Sequence, residues 1–252
     1  MSKLLLFDVD GTITESGQCI SDEMKEIIQN IKQYYDIGIV GGGQLNKILN
    51  QLGNDNYFHH YFTECGCVYH ENISKSNELK LLHHYTKNIR EHKLYLNINL
   101  LIKTALKFIS NVDYTITGNF IDLRNGIVYI SLLGMSANIL ERKEYIELDK
   151  KFNYRKSLLN ILYSKAKELN ISSEITICQG GSVGIAIYPI EYDKNQVLEH
   201  LDKYQEIHYF GDKYEENGND YNLINNKNII GHRINSIEET KNLLINLLIQ
   251  NK

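Results

Sequence analysis

Two carboxylates one residue apart, Asp8 and Asp10, followed by Gly11 and Thr12, are the residues best suited to chemistry in this chain of 252 residues. One carboxylate can attack phosphorus while its neighbour moves a proton, a division of labour that suits covalent phosphoryl transfer. Gly11 permits the tight turn, and Thr12 can offer a hydroxyl and a backbone N–H to a phosphate. A carboxylate that attacks a phosphate dianion needs a cation to neutralise both. Magnesium fits, because it takes oxygen ligands and keeps waters and substrate oxygens in its shell. Asp212, in Gly211-Asp212-Lys213, is the natural second protein carboxylate, and Asn219-Asp220 in Asn217-Gly-Asn-Asp220 can support the ion through water or orient its ligands. An Asp-x-Asp or Gly-Asp pair by itself is an ordinary solvated turn. What favours function is the position of both at strand ends.

Those strands can be read from hydrophobic pattern. The apolar run Lys3–Phe7, stopped by Asp8, suits a buried central strand of a parallel sheet. Ligands of open α/β sheets bind outside the carboxyl ends of such strands. Residues 21–35 have helical periodicity through Met24, Ile27, Ile28 and Ile31, with Ser21 as cap. A strand is predicted at 36–41 and a helix at 44–52, the alternation of a doubly wound α/β domain. Near residue 82 the rhythm changes. Helices are predicted at 84–93 and 97–110, a hairpin at 119–131 turning on Asn125-Gly126, helices at 139–148 and 154–169, and strands at 173–178 and 183–188. After Pro189 come a helix at 194–202, a strand at 206–210 leading into Gly211-Asp212, a short strand at 228–231 and a helix at 236–249. The expectation is a discontinuous core, 1–82 with 188–252, carrying an inserted α+β cap, 83–187.

Composition narrows the function classes. A formal net charge of -4 argues against a nucleic-acid binder while leaving room for a local basic pocket around a small anion. Cys19, Cys65, Cys67 and Cys178 are too few and too scattered for a disulfide framework, and Cys65-Gly66-Cys67 lacks the spacer of a zinc or redox motif, so buried thiols are expected. Asp8 interrupts the first apolar run and no later run approaches about 18 residues, so neither signal peptide nor membrane span is expected, and the cytoplasm is the default. His59-His60 and His83-His84 are adjacent pairs that cannot face one ion from a helix or strand, which predicts surface histidines.

Asp8-Val-Asp10-Gly-Thr12, Gly41-Gly42, Asp193-Lys194 and Gly211-Asp212 with Gly218-Asn219-Asp220 resemble the ordered motifs of the haloacid dehalogenase (HAD) superfamily. Along almost its full length the chain more narrowly resembles the eukaryotic phosphomannomutases, through Gln51-Leu-Gly-Asn-Asp55, Phe120-Ile-Asp-Leu-Arg124-Asn-Gly, Glu147-Leu-Asp-Lys-Lys151 and Tyr209-Phe-Gly-Asp-Lys213. The resemblance implies an HAD-like doubly wound core with an α+β cap. It also implies interconversion of hexose 6-phosphate and hexose 1-phosphate, mannose preferred, through an aspartyl phosphate and a hexose bisphosphate. Asp8 would carry the phosphoryl group, Asp10 act as acid and base, and Lys194 hold the nucleophile and phosphate charge. Gly42 and Gly43 would lie against the transferring phosphate and Arg124 and Arg142 would bind the distal one. Mg²⁺ would sit on Asp8, the Asp10 carbonyl and Asp212, with Asn219 nearby. A homodimer through the cap is implied as well.

The departures from that family cluster on the substrate. Met135 and Gly17 stand where arginines are expected, Gly184 and Ala186 where a serine and an aspartate contact the sugar, Gly43 in place of a serine, and Asn226 in place of an aspartate. Lys143, Arg90 and Arg155 are candidate replacements for the missing arginines. The nucleophile, acid/base and metal set is intact while the sugar-recognition set is depleted. A mutase is therefore the first expectation. A phosphatase of the same fold and a non-catalytic sugar-phosphate-binding protein are the alternatives.

Overall fold

Lys3–Phe7 forms β1, with Leu4 to Phe7 fully buried, as a continuous apolar run requires. The computed structural model describes residues 2–53, 55–216 and 218–251, so Asn54 of the Gln51–Asp55 motif and Asn217 lie outside the described residues. After β1 come α1 (Asp22–Ile31), β2 (Asp36–Val40), α2 (Leu45–Leu52), β3 (His60–Thr63), β4 (Val68–Asn72) and β5 (Leu81–Thr86). Then follow α3 (Tyr95–Ile109), β6 (Ile121–Leu123), β7 (Val128–Ser131), α4 (Ile139–Phe152), α5 (Tyr154–Glu168), β8 (Ile175–Gly180) and β9 (Gly184–Pro189). The chain ends with β10 (Glu206–Gly211), α6 (Tyr221–Ile224), β11 (Ile230–Arg233) and α7 (Ile237–Gln250).

Two units result: Met1–Lys87 with Lys194–Lys252, and Asn88–Asp193. The first holds a seven-stranded sheet of order β11-β10-β1-β2-β3-β4-β5. Its first five strands run parallel, and β4 and β5 are added antiparallel. Crossover helices give α1 its stripe of Met24, Ile27, Ile28 and Ile31, all buried, and Ser21 caps it by accepting from the Met24 N–H. The second unit holds an antiparallel sheet, β6-β7-β9-β8, whose apolar face packs with α3 and α5 in one core. Across Asn125-Gly126 the Arg124 N–H donates to the Ile127 carbonyl, closing the expected hairpin. No helix among the described residues is long and apolar enough to cross a membrane.

Three expectations are corrected. The helix expected at 84–93 is the edge strand β5 followed by a single 3₁₀ turn, Ile89–Glu91. An edge strand need not bury alternate residues, and this one exposes Leu82, His83 and His84, so its sequence lacks the period-two signal. The run after residue 193 is a 3₁₀ helix, Lys194–His200, and not an α-helix. His60, expected at the surface, is buried in β3 between two tyrosines.

That histidine sits in a hydrogen-bonded chain that fixes its tautomer. Tyr204 donates to Asp36 Oδ2 at 2.6 Å, so it must accept from His60 Nε2–H at 2.7 Å, leaving Nδ1 to accept from Tyr69 at 2.9 Å. Burial, aided by the charge of Lys203, lowers the His60 pKa from 6.5 to about 4. Below pH 6.5 the unfolded chain therefore takes up a proton that the folded chain refuses, and stability falls as pH falls toward 4. The loss attributable to His60 should approach about 3 kcal/mol. Urea unfolding of wild type and His60→Gln across this range should show a steeper acid-side loss in wild type. Parallel curves would mean that the histidine does not titrate in this way.

Candidate active site

Asp8 follows the last residue of β1 and is tied to the neighbouring strand by its N–H, which donates to the Phe210 carbonyl at 2.9 Å. Its carboxylate is almost fully buried. Lys194, with no exposed surface at all, reaches Asp8 Oδ1 at 2.6 Å, Asp220 Oδ1 at 2.6 Å and the Tyr209 hydroxyl at 3.1 Å. Tyr209 in turn donates to Asp220, whose second oxygen accepts the Lys213 N–H at 2.9 Å. Burial alone lowers the Lys194 pKa, but the charges of Asp220 and Asp8 outweigh it and hold the ammonium well above its usual range. Burial pushes the Asp8 carboxyl up to about 7, against the pull of Lys194 and with a further push from Asp220 and Asp212.

Asp8, Asp212 and Asp220 each bring a carboxylate oxygen within 4.8 Å of the others, a group able to hold a metal ion. Two lysines, Lys194 and Lys213, face three carboxylates, and Asp212 Oδ1 is buried without a hydrogen-bond partner. Both observations fit a hard divalent cation. A Cβ on Gly11, which has φ +89°, would stand 2.6 Å from Asp212 Oδ2, so the turn after Asp10 must be glycine for that carboxylate to close on it. Lys213 pairs with the same Oδ2. Because Asp220 already serves Lys194, Tyr209 and a backbone N–H, its observed work is anchoring Lys194. Asn219 lies across from Gly42, its Nδ2 3.8 Å from where a Cβ on that glycine would be.

Asp10 turns away from this cluster. Its carboxylate accepts from the Gly17 N–H at 2.7 Å, Gln51 Nε2 at 2.8 Å and Lys47 Nζ at 2.9 Å. Burial would raise its pKa, but the Lys47 charge and the three hydrogen bonds hold it below the ordinary carboxylate value, in the form of a base. Gly17 adopts φ +73° to make its contact, a conformation that favours glycine over the arginine expected there. The Thr12 N–H lies 3.4 Å from the Val9 carbonyl, which also accepts from the Ile13 and Thr14 N–H groups at 3.1 Å, and the Thr12 hydroxyl is buried without a hydrogen-bond partner.

The Gly41–Gly43 turn after β2 is held from behind. Glu64 N–H donates to the Gly43 carbonyl at 3.0 Å and Cys65 N–H to the Gly41 carbonyl at 2.9 Å, both donors lying in left-handed backbone. Gln196, two residues past Lys194, donates to the Cys65 carbonyl at 2.9 Å, and Asn226 donates to Asn195 at 3.1 Å. The Lys194 segment is thus pinned on both sides. Asn226, flagged as a missing metal-loop aspartate, works as one of these pins. Cys65, Cys67 and Cys178 are buried, as expected, and Cys19 is exposed.

In the second unit, Arg142 donates to the carbonyls of Ala137 at 3.1 Å and Met135 at 3.2 Å, while Arg124 pairs with Asp122 at 2.6 Å and lies 5.4 Å over the Tyr129 ring. A Cβ on Gly184 would meet Tyr129 Cζ and its hydroxyl at 2.5 Å, which is why no serine stands there. Arg155 pairs with Asp149 at 2.6 Å and donates to the Gly181 carbonyl at 3.2 Å. Sequence reasoning missed Tyr209, Lys47 and Gln51 as site residues. The i,i+4 spacing of Lys47 and Gln51 on α2 was the signal that would have found the last two.

A carboxylate at the end of a central parallel strand, braced by a buried lysine and faced by a second strand-end carboxylate, belongs to the HAD-like fold. Solved structures agree at the level of fold. IMP-bound IMP-nucleotidase of Plasmodium falciparum superposes with TM-score 0.64 at 14% identity, covering 100% of this chain and 68% of that one. Sequence carries the assignment further. The eukaryotic phosphomannomutase family profile matches residues 24–250. Phosphomannomutase 1 of Dictyostelium discoideum is 35% identical over 250 residues, 97% of this chain and 96% of the relative. A phosphomannomutase of Dendrobium officinale is 33% identical over 243 residues, 94% and 90% of the two chains. The chain belongs to the eukaryotic phosphomannomutase family.

Proposed function

We propose that this chain is a Mg²⁺-dependent hexose-phosphate mutase that interconverts hexose 6-phosphate and hexose 1-phosphate, mannose preferred, through an aspartyl phosphate on Asp8. One observation carries the reading: buried Asp8 meets buried Lys194 at 2.6 Å, in one group with Asp212 and Asp220. The printed names of the relatives supply the substrate class.

Phosphorylated Asp8 gives its phosphoryl group to the free hydroxyl of a hexose monophosphate. The Asp8 O–P bond breaks, the sugar O–P bond forms, and the hydroxyl proton passes to Asp10. Asp10 enters this step as a carboxylate, held so by Lys47, Gln51 and Gly17. In the second half Asp8 attacks the other phosphorus of the resulting bisphosphate, and Asp10 returns its proton to the departing sugar oxygen. Lys194 keeps positive charge beside Asp8 throughout. Asp8, Asp212 and the Asp10 carbonyl, with Asn219 alongside, would hold Mg²⁺, which when bound neutralises the charge of nucleophile and phosphate. Gly42 and Gly43 lie against the transferring phosphate, and Arg124 and Arg142 take the other one. A cytoplasmic homodimer, formed through the Asn88–Asp193 unit, accompanies this reading. Ile139 and Leu140, both about 70% exposed, are apolar surface that such a dimer would cover.

Phosphorus NMR tests the function, with Mg²⁺, mannose 1-phosphate and a trace of glucose 1,6-bisphosphate added to the protein. A growing 6-phosphate signal without inorganic phosphate is expected. Inorganic phosphate as the only product would make the chain a phosphatase. Arginine placed at position 135 (Met135→Arg) should lower KM for hexose phosphates about 10-fold, the worth of one charged hydrogen bond. An unchanged KM would mean that recognition has been rebuilt around other side chains.

A further inference from the structure

The outer face of the antiparallel sheet in the Asn88–Asp193 unit carries an unusual polar centre. Tyr129, on β7, lies beside three glycines that leave its ring room. Cβ atoms on Gly180 and Gly184 would stand 2.9 Å and 2.5 Å from ring atoms, and one on Gly181 would stand 3.6 Å from the hydroxyl. Larger residues at 180 and 184 would displace the ring. Three guanidinium groups lend it positive charge. Arg124 stacks over the ring at 5.4 Å, Arg155 donates to the carbonyl of Gly181 beside the hydroxyl, and Arg142 holds the Met135 and Ala137 carbonyls. Burial raises the Tyr129 pKa, and the charges of Arg124, Arg142 and Arg155 pull it back, in that order. The phenol therefore remains a neutral hydrogen-bond donor at working pH.

Among the described residues none accepts or donates a hydrogen bond at the Tyr129 hydroxyl, although the ring is half-buried. A half-buried phenol amid three cations with an unspent O–H suits a multivalent oxyanion. Such an anion has acceptors for the hydroxyl and charge for the arginines.

We propose that the Tyr129 hydroxyl donates a hydrogen bond to the phosphate that Arg124 and Arg142 hold, and so sets affinity for the non-transferring phosphate of the substrate. The inference rests on the hexose-phosphate reading for its choice of ligand, not for the anion site itself. Arg155, paired with Asp149 and donating to the Gly181 carbonyl, adds positive charge beside the hydroxyl.

Tyr129→Phe is the informative variant, because the ring that fills the space above Gly184 stays in place. Loss of one hydrogen bond to a charged group should raise KM for mannose 1-phosphate roughly 10- to 150-fold, with kcat little changed. In protein with ¹³C-labelled tyrosine rings, the resonance missing from Tyr129→Phe identifies Tyr129, and inorganic phosphate should shift it. Normal turnover with an unchanged KM in Tyr129→Phe would overturn the role of Tyr129 and leave the mutase standing. If wild type turns over no hexose phosphate yet inorganic phosphate shifts the Tyr129 signal, the anion site stands and the substrate reading falls. No shift at saturating phosphate overturns the proposal whatever the kinetics.

Discussion

Asp8→Asn should abolish turnover, with a loss in kcat on the order of 10⁴-fold or more. The amide has the shape of the carboxylate and can still accept from Lys194, which lies 2.6 Å away, so the site should remain assembled. What is lost is the oxygen nucleophile that would carry the phosphoryl group. Mutase and phosphatase chemistry both pass through that oxygen, so neither product should form at more than trace rates. A variant retaining near wild-type rates, with its fold verified by circular dichroism, would remove Asp8 from the reaction.

Lys194→Met should cost both stability and activity. The ammonium lies between Asp8 and Asp220 with no exposed surface, so its removal strands two buried carboxylates. Breaking a buried pair from one side costs about 3–5 kcal/mol, because the remaining charge is left uncompensated. At about 2–4 °C per kcal/mol for a chain of this size, the melting temperature should fall by roughly 6–20 °C. Adding Asp220→Asn in the same chain removes one stranded charge and should recover part of the stability, measured by thermal unfolding, while activity stays lost. If Lys194→Met melted with wild type, Asp8, Lys194 and Asp220 would be solvated in solution and the buried-charge argument would fail.

The Asp8 end of the candidate site was legible because its residues are locally encoded. Asp8-Val-Asp10-Gly-Thr12 terminates a short continuous apolar strand, and Gly211-Asp212 terminates another. Both statements need only hydrophobic pattern and the rule that ligands gather at strand ends. The bracing of the site was less legible because it depends on contacts between distant segments. Asp220 reads as part of a polar loop, yet it is fully buried because Lys194, Tyr209 and the Lys213 N–H all converge on it. Tyr209 reads as one more apolar residue of β10, and only the fold shows its hydroxyl against Lys194.

The sheet edge shows the same limit. β3, β4 and β5 went unread because His60, His70, His83 and His84 interrupt the apolar pattern. His60 is nevertheless core, made so by two tyrosines that are 9 and 144 residues away along the chain. Gly184 illustrates the converse. From sequence it is a lost serine, while the fold makes it the space that Tyr129 needs.

Mass spectrometry of acid-quenched protein bears most directly on Asp8 as the phosphoryl carrier. Wild-type protein would be mixed with Mg²⁺ and hexose 1,6-bisphosphate, quenched and digested. One phosphoryl group is expected on the peptide containing Asp8, removable by hydroxylamine as an acyl phosphate must be. A phosphoryl group on any other residue, or none while turnover proceeds, would contradict covalent catalysis by Asp8.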